Sequence, residues 1–439
     1  MKKIYVIGIW GIGISWIARY YNEHNYEVYG SDKTDSELIQ KLKSEWMNIT
    51  IGEDAERIDG SFEKVIYTEA VPKTQSELQK AIQLHIPVLT YPESLAEIAN
   101  QKKLITIAGT HGKSTTTSMT SLVLKNSPTN VNALVGSLLK EFGGKNVFFS
   151  ESEYFVLEAC EYKRSFLRYK PFIGVVTNIE LDHLDYYKDL EDYISAFIEY
   201  TKNIVSWWYL IIDAQSENAL KIANIRDDIH VVLMEEESFT LHNTKYFFPE
   251  MHLKVPGPHI LFDAKLAFVV GKIVGIDDKT IQNSLEQYNG IWRRSEIIGL
   301  TQNNNILMSD YGHHPTEISL NLKALKGKYQ DKKILTIFQP HQYNRTLELL
   351  EYFKNCFGNT DILVIPDIYE SRDSEEDKAK INGEKLVQLI NHPHKIFGDW
   401  LKNTLYLIKE FDAKYPGELV IILQGAGNVD DLRYEIKVH

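Results

Sequence analysis

Short apolar runs of β-type composition alternate with longer stretches free of helix breakers along most of the chain, a pattern that predicts an α/β fold. Residues 3–7 read as a first buried strand, followed by a glycine-rich turn, a helix over 14–21 and a second strand over 26–29 that ends at Ser31-Asp32. Further strands are expected at 64–67, 86–89, 104–108, 154–157, 172–176, 305–308 and 333–338, with mixed α/β structure over 190–255. The polar run 100–103 reads as a linker, and no internal repeat or low-complexity tract interrupts the alternation.

The strand ends carry the chemistry. The run 104–108 stops at Gly109-Thr110-His111-Gly112-Lys113-Ser114, and a helix follows. Two glycines let backbone N–H groups turn onto a phosphate, and the positive N-terminal end of the helix points at the same place. Lys113 then reaches the β- and γ-phosphates and the Ser114 hydroxyl ligates Mg²⁺. The loop is shorter than the general G-x-x-x-x-G-K-[ST], because Ile107 stands where the first glycine would be. Near the N-terminus, Gly8, Gly11 and Gly13 followed by Asp32 open a dinucleotide-type βαβ unit, or a purely structural βα turn. Glu158 and the stretch Thr177-Asn178-Ile179-Glu180-Leu181-Asp182-His183 follow strands too, and carboxylate with imidazole beside a phosphate loop suits a divalent metal. The adjacent His313 and His314 point to opposite sides if extended, which disfavours a shared ion.

Composition narrows the classes. With 439 residues, 44% hydrophobic and 25% charged, the chain is ordinary globular material for about three domains. A net charge of −12 argues against a general nucleic-acid or anionic-membrane surface. Cys160 and Cys356 are too few for a disulfide framework, which fits a reducing cytoplasm. No run approaches the ~18 apolar residues of a membrane helix, and the N-terminal run is broken by glycines with no cleavage site after it.

The form G-T-x-G-K-[ST]-T resembles the Mur ligases, ATP-dependent enzymes that add amino acids to a muramyl nucleotide. The runs NIELDHLDYY, DYGHHPTEI and FQPHQYNRT are similar to motifs of the alanine-adding branch, in the same order. The resemblance implies an N-terminal Rossmann-like UDP-sugar domain over 1–101, a central P-loop ATPase-like domain with a mixed sheet over 102–298, and a C-terminal Rossmann-like amino-acid domain over 299–439. It implies ATP and Mg²⁺ as cofactors, UDP-N-acetylmuramate and L-alanine as substrates, a monomer or homodimer, and an acyl-phosphate intermediate. Residue by residue, Gly8, Gly11, Ile12, Gly13, Asp32, Thr68 and Asn178 would hold the UDP-sugar. The loop 109–115, including Thr115, would hold ATP together with Asp263, Arg294 and Asp310. Ser114, Glu158 and His183 would hold the metal, and Tyr311, His341 and Arg345 the amino acid. Lys113, His183 and Arg294 would be the catalytic groups, with hinge motion around 101 and 298. Two other readings follow the same motifs: a recycling ligase that adds a preformed peptide, and a nucleotide-binding homologue with impaired catalysis. A simple NAD oxidoreductase is disfavoured by the second, lysine-containing loop.

Several positions depart from the family pattern. Trp10 and Trp16 stand where the family has glycine, and an indole at position 10 should obstruct the approach of a pyrophosphate. Trp46, Trp292 and one of Trp207 and Trp208 also fall where glycine is expected by resemblance or turn chemistry. The recurrence reads either as UGA codons decoded as glycine in the source or as real divergence with altered or weakened nucleotide binding. Ile260 and Asp263 replace two asparagines, Ser295 replaces a phenylalanine, and Gln342 and Asn344 depart within FQPHQYNRT.

Overall fold

The computed structural model of the chain describes all residues but Met1, Thr34, Ser36, Glu69, Pro256 and Arg372, and only the backbone of Ile12, Glu37 and Leu38. The Ile12 side chain, expected at the sugar-nucleotide loop, therefore lies outside the described residues, as do Glu69 in the exit loop 68–72 and Pro256 in the run 255–259.

Three sheets carry the fold. Residues Met1–Leu104 with Leu167–Pro171 form one compact unit, and Ile105–Phe166 with Phe172–His439 form another that holds most of the second sheet and all of the third.

The first unit is a five-stranded parallel sheet in the order Asn48–Ile51, Tyr26–Asp32, Lys2–Ile7, Phe62–Tyr67, Val88–Thr90. Its central strand is buried from Ile4 to Ile7, where both faces are covered. The helix after it runs Ile12–Glu23, two residues longer at each end than the expected 14–21, with Trp16, Ile17 and Tyr21 on its buried face. The last strand starts two residues later than expected, since Pro87 precedes Val88 and cannot itself donate to the ladder.

In the second unit, the strand Lys103–Ala108 pairs in parallel with Ile173–Val176, with Ala108 opposite Val176. Tyr154–Glu158 is its neighbour on the other side in a nine-stranded sheet. Thr177 N–H donates to Ala108 O and Ala159 N–H to Ile107 O, so three strands end at one level. The third sheet, six-stranded, repeats this logic: Asp310 and Phe338 both lie opposite Gln424. The strand Ile306–Asp310 runs two residues beyond the expected 305–308, which puts Asp310 on the strand rather than in the loop. Only Glu296–Leu300 is antiparallel in this sheet.

The helix Lys113–Lys125 is rich in Ser and Thr, yet Thr115 to Leu124 are all buried. Three of its hydroxyls bond back to the helix's own carbonyls: Thr117 donates to Lys113 O, Ser118 to Ser114 O and Ser121 to Thr117 O. That frees the helix to pack Met119 and Val123 into the core shared with Pro258–Val274.

Candidate functional site

Gly109 and Gly112 adopt φ of +126° and +78°. A Cβ at Gly109 would run into Thr177 Oγ1, and one at Gly112 would lie 2.5 Å from Asp263 Oδ1. Glycine is required at both, and the loop between them is tied to the neighbouring strand end. Asn178 Oδ1 accepts from His111 N–H and its Nδ2 donates to His111 O, at 3.0 and 3.2 Å. Thr110 Oγ1 donates to Glu180 O at 2.8 Å. Asn178, expected at the UDP-sugar, is thus bonded to the phosphate loop of its own unit.

Lys113 Nζ donates to Gly109 O at 2.6 Å and Thr110 O at 3.0 Å, and lies 3.1 Å from Glu161 Oε2. Glu161 is fully buried, and its other oxygen is 3.1 Å from His183 Nε2. Burial alone would push its carboxyl up, but the Lys113 ammonium beside it holds it below the usual range. Ser114 Oγ donates to Glu158 Oε2 at 2.7 Å, and Gly136 N–H donates to the same oxygen at 3.0 Å. Hydroxyl and carboxylate oxygens side by side are the hard donors that fit Mg²⁺. His183, expected with them, is directed instead at Glu161, the carboxylate three residues after Glu158. Sequence reading passed over Glu161; its i,i+3 spacing from Glu158 was the available signal.

A cavity of about 310 Å³ opens beside the loop, lined among others by Ser114, Thr115, Asn178, Asp263, Arg294 and Asp310. Burial raises the Asp263 carboxyl to about 8, so it is mostly protonated at neutral pH while accepting from Thr116 Oγ1 at 3.0 Å. His111 is buried, which opposes charge, yet Glu180 and Glu317 beside it raise its pKa to about 9. Its neighbour His314 is lowered to about 4 by burial and by that imidazolium. The loop therefore carries two cations, Lys113 and His111. His111, Glu180 and His314 bring three potential ligand atoms within 4.8 Å of one another.

The third sheet contributes from the opposite wall. Glu317 caps its own helix by accepting from His314 N–H, and lies 3.3 Å from Arg294 Nη1 and 3.2 Å from His111 Nδ1. Arg294 faces the cavity, whereas Arg293 turns away and donates to Gly425 O and Gly427 O. Both guanidinium groups lie over the Tyr311 ring, at 5.0 and 5.4 Å. Ser295 N–H donates to Asp310 Oδ2 and its hydroxyl to Asn321 Oδ1, so the departure from phenylalanine is filled by polar contacts. His341 stacks on Tyr369 with centroids 5.4 Å apart. Arg345 Nη2 pairs with Asp182 Oδ1 at 3.0 Å, a contact with the central sheet that the motifs did not reveal. Burial would raise the Asp182 carboxyl, but Arg345 and His183 hold it well below the usual range.

In the first unit, Gly8, Trp10, Gly11, Asp32 and Thr68 line a separate cavity of about 330 Å³. Asp32 Oδ2 accepts from Trp10 N–H at 2.9 Å. Gly13 is elsewhere: a Cβ there would meet the Tyr91 ring at 2.8 Å, so this glycine serves helix packing.

Residues 3–103 match the model of the Mur ligase family catalytic domain, and 107–270 that of the Mur ligase middle domain. A UDP-N-acetylmuramate–L-alanine ligase of Alkaliphilus metalliredigens is 36% identical over 98% of this chain and 95% of its own length. The crystal structure of UDP-N-acetylmuramate-alanine ligase from Thermotoga maritima superposes with a TM-score of 0.77 at 23% identity, covering 99% of this chain and 98% of that one. A murein peptide ligase from Psychrobacter arcticus covers the same shares with a TM-score of 0.66 at 18% identity. The parallel sheets, the shortened phosphate loop and the full-length similarity lead to one conclusion: the chain belongs to the Mur ligase family.

Proposed function

We propose that this chain joins L-alanine to the muramyl carboxylate of UDP-N-acetylmuramate, converting ATP to ADP and phosphate in the cytoplasm. A free carboxylate is a poor electrophile at neutral pH, so the carboxylate first takes the γ-phosphoryl group; the alanine amine then attacks the acyl phosphate and inorganic phosphate leaves. Lys113 and His111 offset phosphate charge, and Arg294 adds a third cation at the cavity wall. Mg²⁺ held by Ser114 and Glu158 would supply further charge neutralisation. Arg345 binds the alanine carboxylate through donors that Asp182 leaves over. Gly8, Gly11, Asp32 and Thr68 would take the sugar nucleotide in the first unit's cavity.

The observation that supports this reading most directly is that the phosphate loop and the Tyr311, His313 and Arg345 loops belong to one compact unit, joined by the Asp182–Arg345 and His111–Glu317 pairs. Phosphate release assayed with a panel of amino acids and a tripeptide tests it. Release dependent on UDP-N-acetylmuramate and alanine is expected; a preference for the tripeptide would assign the recycling reaction instead.

A further inference from the structure

We infer that Glu161 is a positioning residue that competes with nucleotide phosphate for Lys113 and keeps hold of His183 once the lysine has been handed over. This rests on reading 109–115 as the nucleotide loop. An ammonium has three donors, and those of Lys113 go to Gly109 O, Thr110 O and Glu161. A phosphate reaching the lysine must therefore displace an acceptor, and the one with opposing charge is Glu161. Glu161 is fully buried: Tyr187 Oη donates to its backbone carbonyl at 2.6 Å, and its carboxylate oxygens face Lys113 and His183. A buried carboxylate needs a cationic or donor partner. Here it has two, so losing one to phosphate still leaves it bonded. The lysine can change partners because its former one is not left alone.

Glu161→Gln keeps the size and one acceptor oxygen while removing the charge that competes with phosphate. The expected result is a Kd for ADP, titrated without metal by calorimetry, that falls severalfold, together with a lower kcat because His183 loses its charged neighbour. A folded Glu161→Gln protein whose ADP affinity is unchanged or weaker overturns the inference. In a Lys113→Ala background the same substitution should no longer tighten ADP; tightening that persists shows that Glu161 does not act through the lysine. Failure of wild-type protein to bind ADP would instead sink the nucleotide-loop reading itself.

A different observation carries a second inference: the structure assigns glycine to positions 46 and 207 of the polypeptide as its own cell makes it. Trp46 N–H donates to Lys43 O and Met47 N–H to Leu42 O, the paired bonds that end a helix on a left-handed residue, and φ at Trp46 is +69°. Trp208 N–H donates to Val205 O, closing a turn whose third residue, Trp207, also has φ of +69°. Both are positions that glycine takes. Trp46 and Trp207 are 90% and 71% exposed, so side-chain packing does not hold the backbone there. Among the described residues, none of the 25 tyrosines or 18 phenylalanines adopts a positive φ, against two of seven tryptophans. A codon read as glycine in the cell and as tryptophan elsewhere accounts for this, and UGA is the one stop codon reassigned to tryptophan in other codes. Position 10 would follow, clearing an indole from the cavity beside Gly8 and Gly11. Tandem mass spectrometry of the protein purified from its source cells decides: glycine at both 46 and 207 is expected, and tryptophan at either overturns the assignment.

Discussion

Lys113 is the residue whose removal should cost most. Its ammonium lies at the start of a helix, next to a buried carboxylate and two loop carbonyls, and among the described residues no lysine lines the cavity beside it. Lys113→Ala is expected to lower alanine-dependent phosphate release by about two to three orders of magnitude while the chain stays folded, measured by turnover and circular dichroism together. Asp263 makes a pH prediction of definite sign. Its folded pKa is raised to about 8 by burial, so the native state binds a proton that the unfolded chain has released above about 4. Its contribution to stability is full below that lower value and is lost as pH rises towards 8. Asp263→Asn retains a partner for Thr116 and should flatten the fall in melting temperature across that window, followed by calorimetry at successive pH values.

At the scale of elements, helix ends and strand ends decide what the side chains can do. In the helix Lys113–Lys125 three buried hydroxyls bond back to its own carbonyls, while Ser114 and Thr116 at its N-terminal end donate to Glu158 and Asp263. The helix Glu37–Ser44 ends on Trp46 in a conformation that disfavours any Cβ. Trp46→Gly in a recombinant protein carrying the tryptophan should stabilise it by about 1 kcal/mol, because a left-handed L-residue costs that much and the exposed indole returns little. Denaturant titration measures it; an unchanged midpoint would refute it. The turn at Arg293 to Ser295, with φ of +57° and +47° at those two residues, aims Arg294 and Arg293 at different targets, which the adjacent pair of letters could not distinguish.

At the scale of the molecule, two sheets of the second unit meet through a few charged pairs. Asp182 follows a strand of the nine-stranded sheet, Arg345 follows one of the six-stranded sheet, and both are largely buried. Asp182→Asn leaves a hydrogen bond but removes the charge that orients the guanidinium. The KM for alanine should rise about tenfold with a smaller change in kcat, and hydrogen exchange should increase over 311–317 and 339–346. Equal alanine KM in the variant would show that Arg345 does not depend on this partner.

The local segments were readable because they rest on short-range rules. Alternating strand and helix composition, Gly109 and Gly112 before Lys113-Ser114, and acidic or histidine-bearing runs after strands follow from backbone sterics and periodicity, which neighbouring residues dictate. Strand limits moved by a residue or two where a proline or the sheet register intervened, as at Val88 and Asp310. What the linear order could not give was partnership across it. That Glu161 rather than Glu158 faces His183, that Arg345 meets Asp182, that Arg293 braces Gly425 while Arg294 faces the cavity, and that Asp263 is buried enough to hold a proton are outcomes of packing. Each depends on which surfaces are dehydrated together and which charges are brought within a few ångströms, and those quantities exist only once distant segments share a core.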